Sequence, residues 1–218
     1  MTPLQIGVTG GIGVGKSMVC RVFSALGAPV YDADTRAKWL TNHDPALRAA
    51  ILNLLGPEAY TAGSDAQQPI TYNRTWVASR VFANPTLLAQ LNALIHPLVL
   101  ADAQTWVHQQ SNHPYVIREA ALMRAAGDQN SLDQVIVVTA PINLRIARIR
   151  QRDPHRSETE IRSIIDRQLP DADRLLLANY VVHNDETELL LPQVVRLHEE
   201  FMGLSGSGFV TPYLGGRA

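Results

Sequence analysis

The sequence contains a single cysteine, Cys20, among its 218 residues. One cysteine excludes a framework of disulfides within the chain, and such frameworks are typical of small secreted proteins. We therefore expect an intracellular protein. Cys20 follows Met18 and Val19 in an apolar run, which indicates a packed thiol and not a nucleophile.

Long apolar segments and a charge excess of one sign are also missing. No run of about 18 consecutive apolar residues is present, and no basic segment followed by a long apolar one opens the chain. The formal net charge is −1, so the chain has no overall positive field that would gather nucleic acid. We expect a cytoplasmic protein that binds neither a membrane nor nucleic acid.

The first 32 residues predict a β-strand, a glycine-rich turn, a helix and a second strand. Residues 4–9 are the first strand, residues 16–26 show helical spacing of apolar side chains, and Gly27 ends that helix. Residues 29–32 form the second strand. A βαβ unit of this kind implies a parallel sheet.

The rest of the chain alternates between a helical section and further strands. Residues 34–111 contain several helical patterns, among them 45–52, and a loop at 56–69. Pro85 and Pro97 are each predicted to be the first residue of a helix. Strands are predicted at 115–117, 134–139 and 180–182, and helices at 142–151, after the capping box at Ser157, and at 186–202.

The segment from Gly10 to Ser17 matches the phosphate-binding pattern G-x-x-x-x-G-K-[ST] in full. Glycines let the backbone wrap closely around phosphates, and the following helix adds the positive end of its dipole. Lys16 would reach the β- and γ-phosphates, and Ser17 would offer its hydroxyl to Mg²⁺. The alternative is a glycine-rich turn that happens to end in Lys-Ser. The motif does not by itself separate kinases from GTPases or motor ATPases, but the guanine-reading pattern Asn-Lys-x-Asp is not found.

Asp32 and Asp34 follow the second predicted strand, where ligands of open α/β sheets bind. A carboxylate at this place can accept a hydroxyl proton or help to hold Mg²⁺. Asp34 could equally be only the cap of a helix that starts at Thr35. Position alone leaves both interpretations open.

These segments together resemble the dephospho-CoA kinase family over nearly all of residues 4–201. The resemblance begins in residues 9–17 and 26–34 and continues through Arg74 and His96-Pro97, the strand end at Arg118-Glu119, and Arg148 and Arg152. It implies an α/β fold, a P-loop nucleotide-kinase-like parallel sheet flanked by helices, with a helical substrate-binding insertion and a lid. The implied boundaries are 1–35, 112–144 and 171–204 for the nucleotide-binding core, 36–111 for the acceptor-binding insertion, 145–170 for the lid and 205–218 for a flexible tail.

The resemblance also implies a reaction, in which the γ-phosphoryl group of ATP passes to the ribose 3′-hydroxyl of dephospho-CoA. Mg²⁺ would accompany ATP, and the protein would be a monomer or a weak homo-oligomer. The implied catalytic residues are Lys16, Asp34 and Arg148. The implied nucleotide contacts are Gly11, Gly13, Val14, Gly15, Lys16, Ser17, Met18, Arg148 and Arg152, and the implied acceptor contacts are Asp34, Arg74, His96 and Glu119.

Several of these residues have a plainer interpretation. The lid arginines could form a solvated helix face, His96-Pro97 a cap and a turn, and Arg74 or Glu119 ordinary charged positions. The sequence also departs from the family, because Met123-Arg124-Ala125-Ala126 lacks a glutamate that is usual after the central strand. Asn179 stands where an aspartate is common, and Met18 where a threonine is. Another small-molecule kinase and an inactive, ligand-binding relative therefore remain as alternatives.

Overall fold

The computed structural model describes residues 2–61, 70–120 and 131–207. Its helices are α1 (Lys16–Ala25), α2 (Ala33–His43), α3 (Pro45–Leu55), α4 (Arg74–Val81), α5 (Pro85–Gln109), α6 (Ile142–Arg152), α7 (Glu158–Asp166), α8 (Asp171–Leu175) and α9 (Leu190–Ser207). Its strands are β1 (Leu4–Thr9), β2 (Val30–Asp32), β3 (Tyr60–Thr61), β4 (Thr71–Tyr72), β5 (Tyr115–Glu119), β6 (Gln134–Thr139) and β7 (Tyr180–His183). The chain divides into two compact units, Met1–Asp32 with Val107–Ala218, and Ala33–Trp106.

The first unit is built on a five-stranded parallel sheet with the order β2-β5-β1-β6-β7. β1 lies at the centre, so the P-loop emerges from the middle of the carboxyl edge of the sheet. This arrangement confirms the α/β fold expected from the sequence. The β-branched strand at 134–139 was predicted to be covered on both faces, and β6 is buried along almost its whole length.

Alternate residues of the strands pack on opposite faces of the sheet. One face is covered by α1 and α9, where Phe23 and Phe201 lie against the strand residues Ile6 and Val8. The other face carries a smaller cluster around Val135. These buried aliphatic and aromatic side chains hold the strands in register and fix the position of the loops at their carboxyl ends.

The second unit has its own core of leucines, isoleucines and aromatic side chains from α2 to α5 and from a short hairpin. The hairpin pairs β3 with β4, so that Tyr60 faces Tyr72, and the Tyr60 hydroxyl donates to the Thr41 carbonyl at 2.8 Å. Asp44 caps α3 by accepting from the Leu47 N–H at 2.8 Å. This unit is therefore a helical body, as the sequence between 34 and 111 predicted.

Some predicted boundaries were wrong. Pro97 lies inside α5 and does not begin a helix. A proline within a helix removes one backbone donor, and α5 tolerates this loss because apolar contacts hold the helix on both sides of the proline. The closing helix begins at Leu190 and not at residue 186, since Glu186 has a left-handed backbone with φ 71°. The helix extends to Ser207, and the rest of the expected tail lies outside the described residues.

Helix α5 is long and apolar enough to cross a membrane, by length and composition only. The sequence alone led us to expect no such segment, because polar residues interrupt its apolar runs. Its Leu91, Leu94 and Ile95 pack into the core of the second unit. Its Asp102 forms an ion pair with Arg36, with 2.8 Å between Oδ2 and the Arg36 Nε. One side of α5 thus packs on its own unit, while most of the helix is exposed or only partly buried.

Candidate active site

The P-loop joins the end of β1 to the start of α1. Gly13 and Gly15 have φ values of 81° and 93°, in the left-handed region that L side chains rarely adopt. Val14, between them, is buried and packs into the core of the first unit. The loop is therefore anchored by one apolar side chain while the glycines on either side of it make the turn.

Lys16 and Ser17 begin helix α1 at the open end of the loop. The Lys16 ammonium nitrogen lies 3.1 Å from the Gly10 carbonyl oxygen. The Ser17 side chain is exposed in the first turn of α1. The positive end of the helix dipole, the lysine and the hydroxyl are thus collected at one place, which suits an anionic ligand.

Three side chains from distant parts of the chain hold the outer side of the P-loop. Arg145 Nε donates to the Ile12 carbonyl oxygen at 2.9 Å, and the Ile12 N–H donates to Gln168 Oε1 at 2.8 Å. Asn184 Nδ2 donates to the Val14 carbonyl oxygen at 2.8 Å. Three peptide groups of the loop, 11–12, 12–13 and 14–15, are therefore each held by a side chain from outside the loop.

Arg145 is itself held in a cluster of charges, in which the two guanidinium groups are buried and the carboxylate is exposed. Its side chain is 2% exposed, and its Nη1 lies 2.9 Å from Asp171 Oδ2. The second oxygen of Asp171 accepts from Arg174 Nη1 at 2.8 Å, so two guanidinium groups share one carboxylate. Burial lowers the pKa of Arg174, and the charge of Asp171 opposes that shift. A Cβ at Gly11 would meet Arg145 Nη2 at 2.3 Å, so only glycine allows this cluster to lie so close to the loop.

Arg148 and Arg152, the expected lid cations, lie on α6. Arg148 donates to the Asn184 carbonyl oxygen at 3.0 Å and to Asn184 Oδ1 at 3.3 Å, and it lies 3.6 Å from Glu186. The Arg152 side chain is exposed. The structure therefore connects Arg148 to the P-loop through Asn184, and it leaves Arg152 at the end of the helix facing solvent.

Two carboxylates end neighbouring strands of the sheet. Asp32 of β2 and Glu119 of β5 are partners in the strand register. Burial raises the pKa of the Cys20 thiol, and the negative charge of Glu119, to which the thiol is hydrogen-bonded, raises it further. Cys20 is thus a packed, protonated thiol, as the sequence indicated. The positive charge of Lys16 lowers the pKa of the same thiol. The lysine and the two carboxylates therefore all lie close enough to Cys20 to affect its pKa.

The second unit contains a groove of about 360 Å³. Its inner wall is apolar and includes Val77, Val81 and Leu91, which belong to the core of the unit. Asp34 and Arg74 lie on the lining, and both side chains are exposed. The groove offers an apolar surface together with groups of both charges, which suits a ligand with apolar and anionic parts.

The expected acceptor residues are thus distributed over both units. Asp34 and Arg74 line the groove, and Glu119 lies at the carboxyl end of β5 in the first unit. His96 is exposed on α5 and is not among the residues that line the groove. Helix α2 begins at Ala33, so Asp34 lies in its first turn and is not the residue before a helix starting at Thr35. The segment from Met123 to Ala126 lies outside the described residues.

Sequence reasoning assigned no role to Arg145, Arg174 or Asn184. A signal for Arg145 was present, because it lies four residues before Ile149 and therefore on the same face of α6 as a buried isoleucine. An arginine on a buried face needs a partner, and Asp171 is that partner. No comparable pattern marks Arg174 or Asn184, whose contacts depend on the folded chain.

Comparisons with known proteins agree over most of the chain. A family model for dephospho-CoA kinase matches residues 4–189. Dephospho-CoA kinase of Porphyromonas gingivalis is 37% identical over 196 residues, covering 90% of this chain and 93% of that relative. Among solved structures, TT1252 from Thermus thermophilus superimposes with a TM-score of 0.75 at 26% identity, covering 93% of this chain and 98% of that one. Dephospho-CoA kinase from Campylobacter jejuni shares the fold, with a TM-score of 0.59 at 20% identity and coverage of 92% and 98%.

Proposed function

This chain belongs to the dephospho-CoA kinase family, and we propose that it transfers the γ-phosphoryl group of ATP to the ribose 3′-hydroxyl of dephospho-CoA, giving CoA and ADP. The observation that carries this conclusion is the family match over residues 4–189, which contains the P-loop, the groove of the second unit and α6. The match is accompanied by 37% identity to a relative of the same name over 90% of the chain.

The nucleotide would bind at the P-loop. The loop amides and the N-terminus of α1 would hold the phosphates, with contacts from Gly11, Gly13, Val14, Gly15, Ser17 and Met18. Lys16 would leave the Gly10 carbonyl to neutralise charge on the β- and γ-phosphates. Catalysis of phosphoryl transfer depends mainly on positioning and on electrostatic stabilisation, so a preformed loop with a lysine beside it suits this reaction.

Asp34 would orient the acceptor hydroxyl and receive its proton. The proton moves to the Asp34 carboxylate while the bond from the ribose oxygen to the γ-phosphorus forms and the bond to the β–γ bridging oxygen breaks. The position of Asp34 on the lining of the groove, with an exposed side chain, supports this role.

Arg148 and Arg152 would add positive charge when the lid segment, residues 145–170, closes over ATP. Arg148 would keep its contacts with Asn184 and direct its remaining N–H donors at phosphate oxygens. Arg152, exposed at the end of α6, would join it. Both would stabilise a transition state whose negative charge spreads over the transferred phosphoryl group.

Mg²⁺ would be held by ATP and by very few protein groups. In the described residues no cluster of three or more His, Cys, Asp or Glu side chains could hold a metal alone. Mg²⁺ in kinases needs no such cluster, because substrate phosphates and water supply most of its ligands. The exposed Ser17 hydroxyl and the carboxylate of Asp32 at the end of β2 fit this limited role. When bound, the ion would neutralise negative charge on the phosphates of ATP.

The acceptor would bind in the groove of the second unit. Arg74 would pair with the pyrophosphate of dephospho-CoA, while the apolar wall would cover less polar parts of the molecule. His96 and Glu119 would make the remaining contacts. We further propose that the protein acts in the cytoplasm, as a monomer or a weak homo-oligomer, and without a nucleic-acid partner.

Product analysis with ATP, Mg²⁺ and dephospho-CoA tests the function. We expect ADP and CoA in equal amounts, with the new phosphate on the ribose 3′-oxygen. ATP consumption with a different alcohol but not with dephospho-CoA would identify another small-molecule kinase. Tight binding of both ligands without any product would identify an inactive relative.

A further inference from the structure

Two carbonyl oxygens of the P-loop accept hydrogen bonds from side chains outside the loop. Arg145 binds the Ile12 carbonyl oxygen, and Asn184 binds the Val14 carbonyl oxygen. Both are direct hydrogen bonds, of 2.9 Å and 2.8 Å. Neither side chain is required by the phosphate-binding pattern, which specifies only residues 10–17.

The geometry of the peptide bond turns these contacts into a constraint on two amide hydrogens. In a planar trans peptide the C=O of one residue and the N–H of the next point in opposite directions. The described part of the chain contains no cis peptide bond. A carbonyl of Ile12 that is held outward therefore directs the Gly13 N–H into the loop. A carbonyl of Val14 that is held outward does the same for the Gly15 N–H.

We propose that Arg145 and Asn184 are positioning residues, which orient the Gly13 and Gly15 amides toward the phosphates of ATP. Glycine at both positions makes the loop flexible, since these residues have the largest choice of backbone conformations. Each outer hydrogen bond removes one rotation that would otherwise turn the amide away from the ligand. The loop is thus preorganised before ATP arrives, which lowers the cost of ordering it on binding.

The two side chains are themselves fixed by independent contacts. Arg145 is buried, and Asp171, shared with Arg174, holds its guanidinium from the other side. A lysine would keep the charge but would lack the planar fork that contacts Ile12 and Asp171 together. The single substitution Arg145→Lys therefore separates the effect of the guanidinium geometry from the effect of the positive charge.

Asn184 is fixed at both its backbone and its side chain. Its N–H donates to the Thr139 carbonyl oxygen at 2.9 Å, and its Oδ1 accepts from Arg148, which leaves Nδ2 directed at Val14. A Cβ at Gly15 would lie 2.3 Å from Asn184 Nδ2, so the carboxamide touches the loop backbone. Aspartate at 184 would keep the size but lose the donor, and its oxygen would repel the Val14 carbonyl.

The test follows the amide signals of Gly13 and Gly15 by ¹H–¹⁵N NMR during titration with Mg·ATP, without acceptor. In the wild-type protein both signals are expected to shift. In Arg145→Lys the ligand-induced shift of the Gly13 amide should be lost and that of the Gly15 amide kept. In Asn184→Asp the Gly15 shift should be lost and the Gly13 shift kept. In steady-state assays each variant should raise the KM for ATP about tenfold, the size expected for a lost hydrogen bond to a charged or tightly held donor, while the KM for dephospho-CoA is unchanged.

Arg150→Gln is the matched control, because Arg150 is exposed on the same helix α6. Its NMR shifts and its KM for ATP should equal those of the wild type. Far-UV circular dichroism establishes that each variant is folded. If Arg145→Lys does not fold, Asp171→Asn is used in its place. This change weakens the ion pair that holds the Arg145 guanidinium, so the chemical-shift change of Gly13 should become smaller while that of Gly15 stays the same.

The proposal rests on the proposed function, and the two can fail separately. Normal Gly13 and Gly15 shifts with an unchanged KM for ATP in both variants would overturn the positioning role and leave the kinase activity intact. The same conclusion would follow if both variants lost turnover without any rise in the KM for ATP. A wild-type protein that forms no CoA would instead refute the proposed function.

Discussion

The ammonium nitrogen of Lys16 lies 3.1 Å from the carbonyl oxygen of Gly10, the first residue of the same P-loop. The lysine side chain thus contacts the loop backbone at the place where we expect the phosphates to bind. Lys16→Ala should abolish turnover, because the charge on the β- and γ-phosphates would be uncompensated. The side chain is only half-buried, so the thermal midpoint should hardly change.

Turnover is measured by CoA formation, with Arg21→Ala as the control. Arg21 is exposed on the same helix, and its loss should leave activity unaffected. Wild-type turnover in a folded Lys16→Ala protein would contradict the assignment of the P-loop.

Arg74 should contribute to binding of the acceptor and not of ATP. It lies on the lining of the groove in the second unit and is exposed. Arg74→Gln should raise the KM for dephospho-CoA by about ten- to a hundredfold, as expected for a lost charged hydrogen bond, with the KM for ATP unchanged. Arg80→Gln is the control, since Arg80 lies on the same helix α4 but stacks on Trp76. Equal kinetics of the two variants would remove Arg74 from the acceptor site.

The segment from residue 145 to residue 168 should become protected from hydrogen exchange when ligands bind. It contains most of α6, all of α7, and Gln168, which follows α7 and accepts a hydrogen bond from the Ile12 N–H. Closure over ATP and dephospho-CoA would reduce local opening of these helices. Mass spectrometry after exchange in saturating ligands measures this. If exchange stays the same throughout the segment, it is not a lid.

Folding stability should fall in alkaline solution because of the buried Cys20 thiol. Burial and the charge of Glu119 raise the thiol pKa in the folded state, so the folded protein keeps this proton to higher pH than the unfolded chain. The thiol therefore has no effect below its unfolded pKa of about 8.5, and above it the unfolded state gains about 1.4 kcal/mol per pH unit. Burial also raises the pKa of Tyr72, to about 12, so the decline continues above about pH 10.

Urea unfolding at pH 8 and pH 10 measures this dependence. Wild type should lose about 2 kcal/mol more than Cys20→Ala between these values, because 1.5 pH units separate pH 10 from the unfolded thiol pKa. Equal losses in the two proteins would show that the thiol does not titrate on unfolding.

Local patterns in the sequence predicted the sheet and the phosphate loop. β1 and β6 have the predicted bounds, because continuous apolar, β-branched segments are typical of buried parallel strands. The capping box at Ser157 also forms, with the Ser157 N–H donating to Glu160 at 2.8 Å. Signals within one turn or one strand are sufficient for such features.

Features that depend on distant contacts were missed. Pro97 was read as a helix start, but packing in the second unit outweighs the broken hydrogen bond. The β3–β4 hairpin has only two residues in each strand, too few for an alternating pattern. The contacts of Arg145 and Asn184 with the P-loop join residues more than 130 positions apart, which no local pattern encodes.

Asp34 carries the central claim, that this chain is a kinase in which a carboxylate activates the acceptor hydroxyl. Asp34 lies in the first turn of α2 and on the lining of the groove. Asn keeps the size of the side chain but removes its charge and its basicity. The general-base role predicts that Asp34→Asn lowers kcat by about 10²- to 10⁴-fold. ATP affinity should change much less, because Lys16 and the loop amides supply that binding.

The measurement that decides the matter is kcat for CoA formation by Asp34→Asn beside Asp44→Asn. Asp44 caps α3 in the same unit, and Asn caps a helix about as well as Asp, so this control should retain wild-type kcat. A drop of at least about a hundredfold in Asp34→Asn alone is the predicted result. A kcat of folded Asp34→Asn within about threefold of the wild-type value would contradict the general-base role, because the loss would lie far below the range expected for such a role. Asp34 would then only interact favourably with the dipole of helix α2.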